Sequence, residues 1–348
     1  MELINGQAGY LGNINVKKDG ISHQWSLHEV EEYSKCVNDP AYFARNYIKI
    51  IHLDKGLTPF DLYPYQEKMF KHFEDNRFSI VLACRQSGKS ISSVVYLLWY
   101  ALFHPDKTIA ILANKGATAR EMLSRVTLAL ENLPFFLQAG CKVLNKGSIE
   151  FSNNSRIIAA ATSGSSIRGM SISLLFLDEF AFVENDGEFY TSTYPVISSG
   201  KTTRVIITST ANGLGNVYHK LWEGAVTNTN SYKPFRVDWW DVPGRDDEWK
   251  KETIANTSEI QFEQEFGNRF IGIGNTLITA NTLLSLRSSE PLHRRDDGAR
   301  IYKETVEKHQ YIMLVDVAKG RGRDYSTFNI LDITGEVFEQ VAVYQVNT

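Results

Sequence analysis

The sequence predicts an α/β fold built on a mostly parallel, doubly wound sheet, and three features carry that expectation. Short apolar runs recur at 78–83 (FSIVLA), 108–114 (TIAILAN), 173–180 (SLLFLDEF) and 203–210 (TRVIITST), as continuous as strands buried on both faces require. Segments of helical periodicity separate them, and strands alternating with helices form a parallel sheet covered on both sides. The third feature is CRQSGKS (84–90), a loop between the first strand and a helix running through Val94, Val95, Leu97 and Leu98. In such sheets a ligand lies beyond the carboxyl ends of the strands.

In chain order, residues 1–30 are rich in Gly and Asn and read as a mobile arm, and residues 31–231 form the core. Ser26 is placed to cap one helix and Pro40 to start a second. Tyr65 and Gln66 open a helix just ahead of the first strand; the Gln66 amide offers the donor and acceptor that would read an adenine edge, and its bland alternative is a helix-surface Gln. A periodic helix follows the second strand and stops at Pro134. SIEFSN and RIIAAA, split by Asn153, Asn154 and Ser155, read as a hairpin. After the fourth strand, ANGLGN forms a turn before a helix from Val217. An aromatic strand, PFRVDWW, opens a small second subdomain at 232–284, helical and charged over Trp249 to Phe270. The polar stretch 285–305, with Pro291 and Gly298, is a linker. Residues 306–348 bring a new meander of three antiparallel strands, which alone leaves an apolar face uncovered.

The 84–90 loop carries the first chemistry. A strand, a loop ending Gly-Lys-Ser and a helix form the context in which backbone N–H groups, here from Arg85, Gln86, Ser87 and Gly88, cradle phosphates. Lys89 would reach the β- and γ-phosphates of ATP and the Ser90 hydroxyl would hold Mg²⁺. The full pattern asks for Gly where Ala83 stands. The second signal is Asp178-Glu179, delivered by four apolar residues to a strand end: Asp178 would engage Mg²⁺ and Glu179 would polarise the attacking water. Acids at strand ends are often merely solvated, but both motifs on separate strands of one pattern point to ATP hydrolysis.

Composition narrows the alternatives. The chain has 348 residues, 43% hydrophobic and 22% charged, ordinary for a globular protein. No apolar stretch is long enough to span a bilayer, and the start lacks the regions of a signal peptide. Three scattered cysteines suit a reducing compartment and neither a disulfide framework nor a zinc site. A net charge of −3 is not the footprint of bulk nucleic-acid binding, though it leaves room for a small patch. Arg287, Arg294, Arg295, Arg300, Lys250 and Lys251 are candidates for phosphate contact, with solvated surface charge the simpler reading of each.

LYPYQ, CRQSGKS, SSIRGMS, LLFLDEFAF, PVISSGK and IITSTANGLGNVY occur in an order and spacing that resemble the large terminase subunits of tailed phages, the T-even type most closely, from about Asp61 onward. The resemblance implies a P-loop NTPase of the additional-strand RecA-like kind, followed by the first strands of an RNase H-like nuclease domain. It implies an ATP-driven motor that moves double-stranded DNA into a procapsid in the host cytoplasm. Its partners would be the portal protein, the small terminase subunit and further copies in a homo-oligomeric ring. By the same resemblance Tyr65 and Gln66 match the adenine motif, and Arg85 an Arg that contacts the γ-phosphate in cis. Arg168 takes the place from which some terminases supply an arginine finger, and Thr208, Ser209 and Thr210 match the motif that couples hydrolysis to movement. Asp316 and Asp324 would be nuclease metal ligands. Lys319 stands where relatives can carry an acid and the later carboxylates would lie beyond Thr348, so no nuclease activity is expected of this chain. Two alternatives stay open: a helicase or remodelling ATPase, which needs a second RecA-like domain, and a non-enzymatic docking subunit.

Overall fold

The computed structural model describes residues 9–52, 54–163, 167, 169–198, 200–271, 289–317 and 325–346. The chain divides into two compact units, Met1–Gly274 and Asn275–Thr348.

The first unit opens with β1 (Gly9–Tyr10) and β2 (Asn13–Lys17), then α1 (Leu27–Asn38), α2 (Pro40–Tyr47) and a hairpin of β3 (Lys49–His52) and β4 (Gly56–Pro59). Ser26 caps α1 and Pro40 starts α2, as the sequence predicts; Ser26 pairs reciprocally with Glu29, and Asp39 caps α2. The arm expected to be mobile is instead docked from Gly9 onward. Val16 is fully buried in the core, and the Gln138 amide accepts from Lys17 N (2.8 Å) and donates to Asn15 O (2.9 Å).

The main sheet follows. Its elements are α3 (Pro64–Asp75), β5 (Phe78–Ala83), α4 (Lys89–Phe103), β6 (Thr108–Ala113), α5 (Gly116–Glu131), β7 (Cys141–Leu144), β8 (Ser148–Phe151), β9 (Arg156–Ala161), β10 (Leu174–Asp178), α6 (Asp186–Ser198), β11 (Arg204–Ser209), α7 (Val217–Val226) and β12 (Lys233–Val237). Among the described residues the strands lie in the order β12-β5-β11-β10-β6-β9-β8-β7. The pairs from β12 to β9 are parallel, and β9-β8 and β8-β7 are antiparallel, so the predicted hairpin is present. The strand expected to open a second subdomain, β12, is instead an edge of this sheet, paired with β5 through Val237 and Ala83. Its backbone bonds go to the phosphate-loop strand, which places the boundary expected at 232 inside the fold.

Alternation within the strands builds two cores. Val81, Ala83, Ile109, Ile111 and Phe176 face one cluster with α3, α4 and α5, while Ile80, Leu82, Ala110, Leu112 and Leu175 face another with α6 and α7. This period of two, with both faces covered, is why the strands read as unbroken apolar runs. Every residue of α4 from Ser92 to Leu102 is buried, as befits a helix enclosed on all sides. The chain closes this unit with α8 (Asp247–Asn256) and α9 (Glu259–Glu265). No helix among the described residues is long and apolar enough to cross a membrane.

The second unit is an antiparallel sheet of β13 (His293–Arg294), β14 (Arg300–Ile301), β15 (Tyr311–Asp316), β16 (Ser326–Asp332) and β17 (Glu339–Val346), ordered β13-β14-β17-β16-β15. The predicted meander is its β15-β16-β17 portion. Edge strand β15 leaves Met313, Leu314 and Val315 half exposed or more.

Candidate nucleotide site

Spatial order differs from chain order at the decisive place: β11 lies between β5 and β10. Asp178 pairs in register with Thr208, and Ser209 with Leu82, one residue before the end of β5. Three strands thus bring the 84–88 loop, the 178–179 acids and the 208–210 hydroxyls to one carboxyl edge.

Lys89 Nζ lies 2.8 Å from Glu179 Oε1, with the Lys89 side chain 6% exposed. Ser90 Oγ lies 3.3 and 3.4 Å from the two Asp178 carboxylate oxygens, and Thr208 Oγ1 donates to Asp178 Oδ1 at 2.7 Å. Burial, with Glu179 adjacent, pushes the Asp178 carboxyl above the usual carboxylate range, while Lys89, Thr208 and Ser90 oppose the shift. The two acids part at a strained backbone. Glu179 has φ +49° and ψ +43°, a left-handed conformation that non-glycine residues adopt at a cost of about 1–3 kcal/mol. Beyond it a 3₁₀ turn (Phe180–Phe182) begins, and Glu179 Oε2 meets Ser209 Oγ and Thr210 N, each at 3.4 Å. Of the 208–210 segment, then, Thr208 touches the first acid while Ser209 and Thr210 touch the second.

The loop between β5 and α4 turns through Gln86 (φ +58°) and Gly88 (φ +75°). The N–H groups of Gln86, Ser87 and Gly88 make no hydrogen bond among the described residues, so they are free to receive an anion at a helix N-terminus. A Cβ on Gly88 would stand 2.6 Å from Gln66 Nε2, which explains Gly there. At Ala83 the chain is still an ordinary buried strand, and its methyl joins the core, so glycine is not required. Likewise Ala211 packs into the opposite core, with the turn after it tied by Asn212 Nδ2 to Ala181 O at 2.8 Å.

The remaining predicted residues fall as follows. Gln66 is buried, its Oε1 accepting from Tyr63 N at 2.9 Å at the start of α3; half of the amide expected to read adenine therefore closes its own helix. Tyr65 donates its hydroxyl to Ser87 O at 2.6 Å, tying that helix to the loop. Arg85 is 63% exposed and pairs with Glu265 at 3.6 Å. Asp316 ends β15 and is exposed. Arg168, Asp324, Lys319 and Arg287 lie outside the described residues. Arg294 and Arg295 pair with Glu290 (3.0 Å) and Asp297 (3.2 Å), and Lys250 lies over the rings of Trp239 and Phe262.

Two side chains that sequence reasoning passed over belong to the site. Arg245 donates to the carbonyls of Arg85 and Gln86 at 3.0 and 3.2 Å. Glu265 accepts Arg85 N at its backbone carbonyl (2.8 Å) besides pairing with the guanidinium. Neither sits in a recognisable motif; a spacing of four between Arg245 and Trp249, compatible with stacking, is the only local signal.

For Mg²⁺, the donor set fits: Ser90 Oγ and an Asp178 carboxylate are hard oxygens within reach of one ion, which would complete its shell with phosphate and water.

Fold and site together define a P-loop α/β protein of the RecA-like kind, with the additional strand β11 between the loop strand and the acidic strand. The chain belongs to the family described as the terminase large subunit, T4likevirus-type, N-terminal, which it matches over residues 80–285, more than half its length. Among known relatives, the large terminase subunits of Thermus virus P23-45 and Thermus phage G20c are each 23% identical over 305 residues, covering 79% of this chain and 61% of the relative. The chain thus spans about three fifths of the length of these relatives. Among solved structures, the HK97 bacteriophage large terminase superposes with a TM-score of 0.58 at 15% identity, covering 88% of this chain and 67% of that one. A mutant ATPase domain of the Thermus phage P74-26 large terminase gives 0.52 at 18% identity, covering 61% and 95%. The large terminase of a thermophilic bacteriophage in complex with ADP gives 0.51 at 12% identity, covering 82% and 69%.

Proposed function

We propose that the chain is the ATP-hydrolysing motor part of a large terminase subunit that drives double-stranded DNA into a procapsid. The observation that carries this reading is the convergence, in a member of this family, of Lys89, Ser90, Asp178 and Glu179 beneath three unpaired loop N–H groups at one strand edge.

The Lys89–Glu179 ion pair suggests how the site responds to nucleotide. A γ-phosphate competes with the Glu179 carboxylate for the Lys89 ammonium. Once Lys89 turns to phosphate, Glu179 is released to accept a proton from a water aligned with the γ-phosphorus. Ser90 and Asp178 would hold Mg²⁺, which supplies charge neutralisation across the phosphate oxygens. Thr208 keeps the Asp178 carboxylate oriented, a positioning role. Ser209 and Thr210, bonded to Glu179, would sense its release and carry it along β11, which suits them to couple hydrolysis to movement. Arg85 would leave Glu265 to stabilise charge on the transferring group, and Arg168 would serve a neighbouring subunit in a homo-oligomeric ring; a guanidinium fits either task. Tyr65 and Gln66 would border the adenine.

The portal protein and the small terminase subunit are the partners this function requires, in the host cytoplasm. DNA contact would be to phosphates, without sequence preference and weakening with salt. In the second unit Asp316 and Asp324 would belong to a two-metal nuclease centre. Phosphate release from Mg-ATP, with and without linear duplex DNA, tests the reading: turnover abolished by Lys89→Ala and by Glu179→Gln supports it, and unchanged turnover in both variants contradicts it.

A further inference from the structure

Arg245 stands outside the motifs that mark the nucleotide site, yet it touches the phosphate loop at three atoms. It donates to the carbonyl oxygens of Arg85 (3.0 Å) and Gln86 (3.2 Å) and to Cys84 Sγ (3.4 Å). Its guanidinium lies over the faces of Trp249 and Phe266, 4.7 and 5.3 Å from the ring centroids, and those rings meet edge to face at 5.2 Å. A long, flexible side chain is thereby fixed in one place.

The consequence follows from the trans peptide, in which the carbonyl of one residue and the N–H of the next point in opposite directions. The chain has no cis peptide among the described residues. Turning the carbonyls of Arg85 and Gln86 toward Arg245 therefore turns the N–H groups of Gln86 and Ser87 away from it, into the loop. The Tyr65 hydroxyl on Ser87 O does the same for the N–H of Gly88. Gln86 holds φ +58°, a region that side chains other than Gly avoid, so the loop needs restraint from outside to keep this shape.

We propose that Arg245 is a positioning residue of the nucleotide site: by holding two successive carbonyls, it aims the N–H groups of Gln86 and Ser87 at the phosphates. Through its stacking it also ties the aim of the loop to the aromatic group of Trp239, Trp249, Phe262 and Phe266, whose rings pack on one another. The proposal rests on the loop being a site for Mg-ATP. Lys replaces Arg only in part here, because an ammonium has no planar fork to bridge two carbonyls while stacking.

The test is equilibrium binding of a fluorescent ATP analogue with Mg²⁺, alongside steady-state phosphate release, for the full chain and for Arg245→Met, Arg245→Lys and Lys89→Ala. Arg245→Met keeps the apolar stem, so its melting temperature is expected to stay close to that of the parent. Its dissociation constant and KM are expected to rise about tenfold, the scale of one lost charge-assisted contact, with a smaller fall in kcat. Arg245→Lys should lie between, and it carries the test alone if Arg245→Met does not fold. Parent-like affinity and KM in the folded Arg245 variants, with Lys89→Ala defective, overturns the role of Arg245 alone. Equal binding by the parent and Lys89→Ala overturns the site itself and this proposal with it.

Discussion

At the scale of single residues, one acid of the site, Asp178, works against the fold that carries it. Asp178 is 4% exposed, and burial together with Glu179 raises its pKa above that of the unfolded chain. A group shifted this way stabilises the folded state below its unfolded pKa, and that contribution is lost as pH rises through the folded pKa. Near neutral pH, without metal or nucleotide, Asp178→Asn is therefore expected to raise the melting temperature, by more at pH 8 than at pH 5, on the scale of about 2–4 °C per kcal/mol for a chain of this size. Equal or lower melting temperatures at both pH values in scanning fluorimetry would contradict the assignment. Gly88→Ala places a methyl against Gln66 Nε2 in a left-handed conformation and is expected to cost about 1–2 kcal/mol in urea unfolding, with weaker nucleotide binding. Asp178, Glu179, Lys89 and Ser90 were legible because each sits at a fixed offset from a strand end. Arg245 was not, because its partners are backbone carbonyls some 160 positions earlier, and a carbonyl leaves no mark in sequence.

At the scale of elements, apolar runs located β5, β6, β10 and β11 within a residue or two, since burial on both faces leaves few polar positions to confuse the pattern. The N-terminal hairpin was missed for the opposite reason. Only Val16 of β2 is buried, and the strand is held by side chains distant in sequence: Asn13 Nδ2 donates to Glu131 Oε1 at 2.8 Å, and the Gln138 amide, bonded to Lys17 N and Asn15 O, also donates to Leu133 O at 2.7 Å. Gln138→Leu would strip Lys17 N and Asn15 O of their partner. A loss of about 1–3 kcal/mol is expected, read by urea unfolding together with faster amide exchange over residues 13–17. Unchanged exchange there would show that Val16 and the Asn13–Glu131 bond hold the strand without Gln138. Strand β12 was misplaced because an edge strand exposed along most of its length reads much like the start of a new domain; its membership in the sheet is set by its pairing with β5.

At the scale of the whole molecule, the sheet, both cores and every described member of the nucleotide site fall within Met1–Gly274. A fragment of residues 1–274 is accordingly expected to unfold cooperatively and to retain Mg-ATP binding comparable to that of the full chain, measured with the same fluorescent analogue. Loss of binding in a folded fragment would mean that the second unit contributes to the site. The parallel sheet could be anticipated from alternating strands and helices, but the insertion of β11 between β5 and β10 could not be read from local pattern, because strand order is decided by packing between distant segments. That insertion brings Thr208 to Asp178 and Ser209 and Thr210 to Glu179. Hydrolysis of ATP at this edge is tested most directly by phosphate release from Mg-ATP for the parent chain and Glu179→Gln at equal folded concentration. Turnover by the parent and none above background by Glu179→Gln, with nucleotide still bound, is the expected result; a parent that binds and turns over no ATP, or a Glu179→Gln variant as active as the parent, would contradict hydrolysis at this edge.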